Sequence, residues 1–457
     1  MLPDMPSDTT FNLLAKALQR LQENFATLPP PPPQTPESIE KMAAVLDAAA
    51  ARMADNFPYF HPLYAGQMLK PPHPVARAAY SMAMWLNPNN HALDGGRASS
   101  QMEIEAVREI AKMFGWQTHL GHLTSGGTFA NLEALWVAGQ LAPNKRILAS
   151  EQAHYTHARI SNVLKLGFAE VAADCHGRMD MEALETELKK GDVGTVVVTL
   201  GTTGCGSVDP LDQVLQLKEK YGFRIHVDAA YGGYFRLIAE ALDLPARRAF
   251  EAIRGADSIV VDPHKHGLQP YGCGCILFRD PAVGHFYKHD SPYTYFTSED
   301  LHLGEISLEC SRAGASAVAL WTTQQLLPLV AGGDFAAGLS QSRTAASRLH
   351  DFIAQDRRFV PPFRPELDIV VWTLKAVACE ESGQKAQAVF HRAAQLDLHL
   401  ALVKVPTTFF PKGTWPDCDA TNDAMVTCLR SVLMKPEHLA WIETICQKLD
   451  QAAEKSD

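Results

Sequence analysis

The sequence lacks the segments that carry a protein into or across a membrane. No apolar run reaches the ~18 residues needed to span a bilayer, and the start, Met1-Leu2-Pro3-Asp4, has no basic stretch followed by an apolar core. The nine cysteines are scattered and never form a C-x-x-C pair. Free thiols in a reducing compartment explain this usage better than disulfides, so we expect a cytoplasmic protein without a membrane partner.

Positive charge is also scarce. The 41 Lys and Arg residues are outnumbered by 51 Asp and Glu residues, which gives a net charge of −10. The longest basic cluster is a pair such as Arg247-Arg248. This balance argues against a general nucleic-acid binder.

Two common nucleotide-binding motifs are missing as well. There is no G-x-x-x-x-G-K-[ST] loop of the P-loop ATPases. The string Gly272-Cys273-Gly274 has Leu277 where a dinucleotide-binding motif needs its third glycine, and it precedes its strand instead of following it. These absences argue against a P-loop ATPase and against a dinucleotide-binding domain.

The chain is 46% hydrophobic and long enough for a large core, and we divide it into three parts. Residues 1–90 form a helical arm, with helices predicted around Phe11–Phe25 and over Pro36–Asn56, on either side of the five-proline run Pro29–Pro33. Such an arm packs either on a partner subunit or on its own domain, and the sequence does not decide between them.

The second part, residues 91–330, alternates amphipathic stretches such as Leu211–Tyr221 with short apolar runs typical of buried parallel strands. This pattern predicts an α/β domain with a mostly parallel sheet. Residues 331–457 contain a strand-like Ile369–Leu374 and a final helix over Pro436–Glu454, which predicts a small α+β domain. The apolar runs of the large domain are Arg146–Ser150, Thr195–Leu200, Arg224–Asp228, Ser258–Asp262 and Cys275–Arg279.

A glycine pair followed by a helical pattern indicates a phosphate site. In Ser125-Gly126-Gly127-Thr128, the glycines would let the backbone approach an anion, and the helix N-terminus would offer free N–H groups. The alternative is an ordinary Gly-Gly turn with Thr128 as the N-cap. Taken alone, this motif favours the alternative.

Three further residues with useful chemistry follow other strands. Asp228 ends one strand and precedes the small Ala230, so it could hold a protonated ring nitrogen beside space for a flat ring. Lys265, next to His264, could be a Schiff-base nucleophile. His154 could stack on an aromatic cofactor and donate a proton. Each residue also has an ordinary explanation as a turn cap, a solvated lysine or a helix-start histidine.

Two H-x-x-H pairs, His119/His122 and His154/His157, lack an obvious carboxylate or cysteine ligand nearby in sequence, so we expect no metal site. The other features follow different strands, whose ends can converge on one crevice. A cofactor with a phosphate, a pyridine nitrogen and an aldehyde needs this set of partners. We therefore expect pyridoxal 5'-phosphate.

Several strings resemble the pyridoxal-phosphate-dependent group II amino acid decarboxylases, a family that includes aromatic amino acid, glutamate, histidine and tyrosine decarboxylases. The resemblance covers about residues 55–325 and implies the fold type I architecture of PLP-dependent enzymes, with a large domain around a mostly parallel sheet, and a homodimer. The strings are Ser125-Gly126-Gly127-Thr128 with Asn131, Gln152-Ala153-His154, Thr199 to Gly204, His226 to Gly233, and Asp262-Pro263-His264-Lys265.

The same resemblance implies a role for each residue. Lys265 would form the Schiff base with the cofactor, Asp228 would pair with its ring nitrogen, and His154 would stack on the ring. Tyr295, or else Tyr293, would protonate the substrate carbon after CO2 is lost, with His154 as the reserve donor. Both tyrosines could instead be packed loop aromatics. The phosphate and ring contacts would be Gly126, Gly127, Thr128, His264, Thr203 and Ala230.

Two stretches, Ser307 to Ala315 and Asn87-Pro88 with Met102 to Glu105, look closer to archaeal tyrosine/aspartate decarboxylases and sphingosine-phosphate lyases. The expected activity is decarboxylation of an amino acid to a primary amine. The alternatives are retro-aldol carbon–carbon cleavage and, less favoured, amino transfer. Aromatics over Phe57–Tyr64 would suit an aromatic substrate, whereas an acidic one would need an added cation such as Arg97 or Lys70.

Overall fold

The computed structural model describes residues 8–30, 32–91, 93–288, 306–415 and 424–454. The arm predicted at the start of the chain contains the two expected helices, α1 (Asp8–Glu23) and α2 (Pro36–Met53), on either side of the proline run. Helix α2 begins after Thr35, whose Oγ1 accepts a hydrogen bond from the N–H of Ser38. It ends three residues before the predicted Asn56.

A seven-stranded sheet forms the centre of the large domain, in the order β1-β7-β6-β5-β4-β2-β3. The five strands β3, β2, β4, β5 and β6 are parallel neighbours, whereas β7 is antiparallel to both β6 and β1. The strands are β1 (Leu120–Thr124), β2 (Arg146–Ser150), β3 (Phe168–Val171), β4 (Val193–Thr199), β5 (Arg224–Asp228), β6 (Ser258–Val261) and β7 (Gly274–Phe278).

An α-helix connects each pair of consecutive strands from β1 to β6, as the alternating pattern predicts, and the other helices of this region precede β1 or follow β7. The fold is the mostly parallel α/β architecture expected. Among the described residues, none of these helices is long and apolar enough to cross a membrane. The helices are α3 (Pro74–Met84), α4 (Leu93–Met113), α5 (Gly127–Leu141), α6 (Thr156–Val163), α7 (Met181–Leu188), α8 (Leu211–Tyr221), α9 (Leu244–Ala252) and α10 (Gly314–Leu326).

All five predicted apolar runs are strands, within two residues at each end. The run Cys275–Arg279 is not parallel as expected, because a buried antiparallel strand has the same continuous apolar pattern when both its faces are covered. Strands β1 and β3 were not predicted. Strand β3 lies at the sheet edge and is only half-buried, so it lacks a continuous apolar run.

A four-stranded antiparallel sheet, in the order β10-β11-β9-β8, forms the small C-terminal domain. Trp372 of β9 is fully buried between this sheet and its helices. Burying a large side chain of this kind stabilises a fold by roughly 1.5–3 kcal/mol. The elements are α11 (Asp334–Gln355), β8 (Phe359–Val360), β9 (Ile369–Leu374), α12 (Cys379–Gln395), β10 (Ala401–Pro406), β11 (Met425–Val432) and α13 (His438–Glu454).

The register of the parallel strands places their carboxyl ends at one edge. Thr199 at the end of β4 pairs with Asp228 at the end of β5, and Asp228 pairs with Val260 of β6. Ligands bind outside the carboxyl ends of such strands. The loops that follow β2, β4, β5 and β6 therefore reach one crevice.

Candidate active site

One cavity of about 440 Å³ brings together nine of the eleven predicted site residues. Their side chains or backbones come from the loops after β1, β2, β4, β5 and β6. Tyr293 and Tyr295 lie outside the described residues, and the chemical roles of all eleven stay predictions. The nine residues are Gly126, Gly127, Thr128, His154, Thr203, Asp228, Ala230, His264 and Lys265.

The glycine pair forms the start of helix α5. Gly126 is the N-cap, Gly127 is the first helical residue, and no side chain caps this end. The alternative in which Thr128 is the N-cap is therefore wrong, because Thr128 already lies within the first turn. A Cβ atom on Gly127 would lie 2.6 Å from Oδ2 of Asp262, so no larger residue fits without a shift. The uncapped helix N-terminus is suited to an anion.

Asp228 ends β5 and accepts three hydrogen bonds. Nε2 of His157 lies 2.8 Å from its Oδ2, Nδ2 of Asn131 lies 3.3 Å from the same oxygen, and the N–H of Ala230 donates to Oδ1 over 3.1 Å. Burial alone would raise the pKa of this carboxyl, but the hydrogen bond from His157 and the charge of Lys265 outweigh it. The pKa of Asp228 is held well below its usual range, so the side chain is a carboxylate.

A second layer of contacts orients Asn131. Nε2 of His226 lies 2.8 Å from Oδ1 of Asn131, and Nδ1 of His226 lies 2.9 Å from Oγ of Ser258. Burial lowers the pKa of His226 to about 3, so its ring is neutral. We assign the proton to Nε2, because Asn131 must present its oxygen to His226 in order to donate from Nδ2 to Asp228.

Lys265 lies next to a second carboxylate. Its Nζ is 3.2 Å from Oδ2 of Asp262, and Nε2 of His264 lies 3.5 Å from the same oxygen. Within the described chain, the buried Oδ1 of Asp262 and Nδ1 of His264 have no hydrogen-bond partner. Such atoms are usually satisfied in a complete site. The polar groups around Lys265 are thus available to a bound molecule.

His154 follows β2 and faces the same cavity. Its Nδ1 lies 2.8 Å from Oγ1 of Thr156, which fixes the ring orientation. Burial, together with the charge of Lys265, lowers the pKa of His154. A neutral, oriented imidazole beside Lys265 is suited to stacking on a flat ring.

One histidine of each H-x-x-H pair contacts a carboxylate in the folded chain. His157 contacts Asp228, and Nε2 of His122 lies 2.9 Å from Oε2 of Glu133. No group of three or more His, Cys, Asp or Glu side chains suited to a metal occurs in the part of the chain that the structure describes. The H-x-x-H spacing of His154 and His157 drew attention to His157, but the sequence did not indicate that Asp228 is its carboxylate partner.

Arg430 of β11 contacts this site and was not predicted. Its guanidinium donates to the carbonyl oxygens of Thr203 (2.8 Å) and Gly204 (3.1 Å) and to Oε1 of Gln67 (3.2 Å). It thereby fixes the loop that places Thr203 in the cavity. An isolated arginine in a C-terminal strand carries no sequence signal for this role.

The two stretches singled out around Glu103 and Arg312 meet beneath the cavity. Nη1 of Arg312 lies 2.5 Å from Oε1 of Glu103 and 2.7 Å from the carbonyl oxygen of Leu123, and the N–H of Leu123 donates to Glu103 over 3.0 Å. Both charged side chains are buried. This pair fixes the end of β1, immediately before the glycine pair.

Three predicted substrate features do not line this cavity. The aromatics of Phe57–Tyr64 pack on one another, with the Tyr59 and Tyr64 rings 4.9 Å apart. Lys70 lines a different cavity, and Arg97 is exposed. Within the described chain, the one lysine or arginine lining the cavity is Lys265.

Residues 82–375 match the model of the pyridoxal-dependent decarboxylase conserved domain. The L-tyrosine decarboxylase of Enterococcus faecium is 28% identical over 470 aligned positions, which cover 78% of this chain and 77% of that protein. The probable L-tyrosine/L-aspartate decarboxylase of Methanothermobacter thermautotrophicus is 29% identical over 258 positions, 56% of this chain and 69% of that protein.

The fold has solved counterparts as well. The crystal structure of mouse CSAD superposes with a TM-score of 0.76 and covers 95% of this chain and 92% of that chain. The sequence identity is 21%, so this likeness concerns the fold alone.

Proposed function

Because the chain belongs to the pyridoxal-dependent decarboxylase family, we propose that its reaction takes place in the cavity around Lys265. The chain is an amino acid decarboxylase that uses pyridoxal phosphate. We infer from one observation which residues carry out the reaction and which class of substrate they accept. That observation is the convergence of Lys265, Asp228, His154 and the Gly126-Gly127 helix start on one cavity.

The residues fit the cofactor. The uncapped start of α5 at Gly126, Gly127 and Thr128, together with His264, would hold the phosphate. Asp228 would pair with the ring nitrogen and His154 would stack on the ring. Thr203 and Ala230 would line it. When bound, the cofactor supplies an aldehyde for the Lys265 amine and a ring that accepts the electron pair left when CO2 departs.

Asp228 would keep a proton on the ring nitrogen. Its low pKa ensures a negative charge in the physiological range, and an opposite charge within a few ångströms favours the protonated ring. His157 and Asn131 fix the carboxylate, so little reorganisation accompanies the reaction. The cavity wall would orient the substrate so that the bond between its Cα atom and its carboxylate stands perpendicular to the ring, which is the orientation that favours loss of CO2.

We assign protonation of the substrate carbon to Tyr295, with Tyr293 second and His154 in reserve. The test compares amine formation in Tyr295→Phe and Tyr293→Phe. A loss of at least tenfold in kcat for Tyr295→Phe alone is expected. A loss in Tyr293→Phe alone, or in neither variant, contradicts the assignment.

The proposed substrate is an aromatic L-amino acid. Phe129 and Tyr231 line the cavity, and no lysine or arginine besides Lys265 lies among its described lining residues to pair with an acidic side chain. A relative is named an L-tyrosine decarboxylase. A screen of CO2 and amine release across the proteinogenic amino acids tests this. Turnover of tyrosine or tryptophan is expected, whereas exclusive turnover of aspartate or glutamate contradicts it.

The same screen separates decarboxylation from carbon–carbon cleavage. Aldehyde release from a phosphorylated amino alcohol, without CO2 release from any amino acid, would replace the decarboxylase assignment by retro-aldol cleavage. Formation of a 2-oxo acid would instead indicate amino transfer. We expect neither product.

We also propose a homodimer held partly by the arm. Helix α1 packs on α3 of its own chain, but no residue of α2 is buried. Ile39, Met42, Val45 and Leu46 of α2 are exposed apolar residues. An exposed apolar face of this kind favours burial against a second copy. Light scattering of the wild type should give a mass twice that of the chain. Leu46→Glu should lower this mass towards that of one chain, whereas Glu40→Gln should leave it unchanged.

Two further expectations remain proposals. The division into residues 1–90, 91–330 and 331–457 describes the arm, the cofactor domain and the small domain. A cytoplasmic location is supported by the thiols, because all eight described cysteines are free, including the exposed Cys175 and Cys310. Cell fractionation tests the location.

A further inference from the structure

A second cavity, of about 460 Å³, lies between the large and small domains. Its wall includes Lys70, His266 from the segment after β6, Phe335 and Leu339 of α11, and Lys435 just after β11. It shares no lining residue with the candidate active site. A cavity of this volume is within the range that holds small organic ligands.

Two ammonium groups face this cavity with few partners. Lys435 is 3% exposed, and its Nζ donates to the carbonyl oxygen of Tyr64 over 2.6 Å. Nζ of Lys70 donates to the carbonyl oxygen of Met434 over 3.3 Å. Each ammonium has three donors. Among the described residues, neither lysine has a carboxylate oxygen within the 4.0 Å of an ion pair.

Burial disfavours the charge of both lysines, and the carboxylates of Asp368 and Glu437, which favour it, offset only part of this effect. Burial lowers the pKa of Lys70 to about 8, and burial together with the charge of Lys70 lowers the pKa of Lys435 to about 7. A buried charge without a counter-ion is costly. An anion bound in the cavity in contact with the ammonium groups would reduce that cost.

His266 provides a third polar group. It is 1% exposed, its Nδ1 has no hydrogen-bond partner in the described chain, and its Nε2 lies 3.2 Å from Oδ2 of Asp368. The acidic groups of the cavity wall, Asp334 and Glu437, are exposed at its rim. Inside the cavity wall, the two ammonium groups therefore have one nearby buried carboxylate among the described residues, Asp368, which is already in contact with His266.

The remaining wall is apolar. Phe335 and Leu339 are buried, and Trp441, Phe60 and several prolines complete the lining. Such walls remove water from the cavity and strengthen the electrostatic attraction of the lysines for an anion. They also provide a surface for the body of an organic ligand.

We propose that this cavity binds an organic anion, with its carboxylate or phosphate head on Lys70 and Lys435 and its apolar body against Phe335, Leu339 and Trp441. The site is separate from the cofactor site. It nevertheless adjoins that site, because His266 is the chain neighbour of Lys265, and Tyr231, which lines the active site, donates to the same Asp368 over 2.5 Å.

The test is calorimetric titration of the cofactor-loaded protein with phenyl phosphate and, separately, with benzoate. The bound cofactor keeps these probes out of the phosphate cradle at Gly127. Saturable binding of one molecule per chain is expected for at least one probe. The tighter probe identifies the head group as phosphate or carboxylate.

Variants connect the binding to the lysines. Lys435→Met and Lys70→Met should each weaken binding at least tenfold, Lys435→Arg should retain it, and Lys404→Met, at an exposed site on β10, should leave it unchanged. Lys70→Met and Lys435→Arg keep the test valid if Lys435→Met does not fold. The absence of saturable binding of both probes up to millimolar concentration would overturn the proposal. Equal affinity in wild type and both methionine variants would do so too.

Discussion

His157 and Asp228 are 71 residues apart in the chain, yet Nε2 of His157 lies 2.8 Å from Oδ2 of Asp228 in a buried contact. The contact exists because His157 lies in the first turn of α6, after β2, and Asp228 ends β5. Both loops reach the same sheet edge. The low pKa of the Asp228 carboxyl therefore depends on a histidine from another loop, and so would the proposed role of Asp228 in holding a proton on the ring nitrogen.

Removing this histidine should impair the reaction without destroying the fold. In His157→Ala, the Asp228 carboxylate loses its best donor and rotates more freely, so kcat/KM should fall by about 10- to 100-fold. The affinity for pyridoxal phosphate should fall as well. Steady-state kinetics and cofactor titration measure both. His391→Asn, an exposed histidine on α12, is the control and should match wild type.

Gly127 should not tolerate a methyl group. In Gly127→Ala, the added Cβ would lie 2.6 Å from Oδ2 of Asp262, so the helix start or the carboxylate must move at a cost of about 1–3 kcal/mol. Cofactor affinity, measured by fluorescence titration, should drop at least tenfold. In Gly204→Ala, the nearest atom would be 3.9 Å away, so this variant should bind the cofactor normally. Equal affinities in the two variants would contradict the close approach at Gly127.

The buried ion pair beneath the cavity should matter for stability. Arg312→Met leaves the Glu103 carboxylate buried without its cationic partner, which costs about 3–5 kcal/mol. Urea unfolding measures this loss in the free energy of unfolding. The exposed Arg357→Met is the matched control. A loss in Arg312→Met no larger than in the control would show that Glu103 finds other partners.

Acid should destabilise the chain through His438. Burial lowers the pKa of His438 from 6.5 to about 3 in the folded state, so between these values the unfolded chain binds a proton that the folded chain does not. Above the unfolded-state pKa, His438 is neutral in both states and does not reduce the stability. As the pH falls from there towards the folded-state pKa, the free energy of unfolding decreases by about 1.4 kcal/mol per pH unit.

His438→Asn tests this dependence, because asparagine can still accept the hydrogen bond from the N–H of Lys435 but does not titrate. Between pH of about 6.5 and about 5, wild type should lose about 2 kcal/mol more of its unfolding free energy than the variant. Urea unfolding at the two pH values gives the comparison. Parallel losses in both proteins would mean that His438 binds a proton equally in the folded and unfolded states.

The sequence predicted the positions of strands and helices better than it predicted which strands pair and in which direction. The apolar runs from Arg146 to Asp262 located the buried strands because such runs depend on local burial. They did not give the direction of β7, which depends on its neighbours. Edge strand β3 gave no signal because one face is solvated.

In the candidate site, too, residues within local motifs could be predicted, whereas contacts from distant parts of the chain could not. Gly127, Asp228 and Lys265 were recognisable because short motifs surround them. Arg430, which fixes the loop around Thr203, lies on a strand of the small domain, 226 residues from its contact Gly204. Asp368, also in the small domain, accepts a hydrogen bond from Tyr231 of the large domain. These contacts are set by the packing of two domains. The aromatic residues of Phe57–Tyr64, predicted to contact the substrate, do not line the cavity either, because their positions too depend on packing between distant segments.

The central claim is that pyridoxal phosphate is attached to Lys265. The most direct measurement is reduction of the purified, cofactor-loaded protein with sodium borohydride, followed by peptide mass spectrometry. We expect the pyridoxyl group on the peptide that contains Lys265, and we expect Lys265→Ala to lose both this label and the visible absorption band. A label on another lysine, or an unlabelled protein that takes up no added cofactor, would contradict the account.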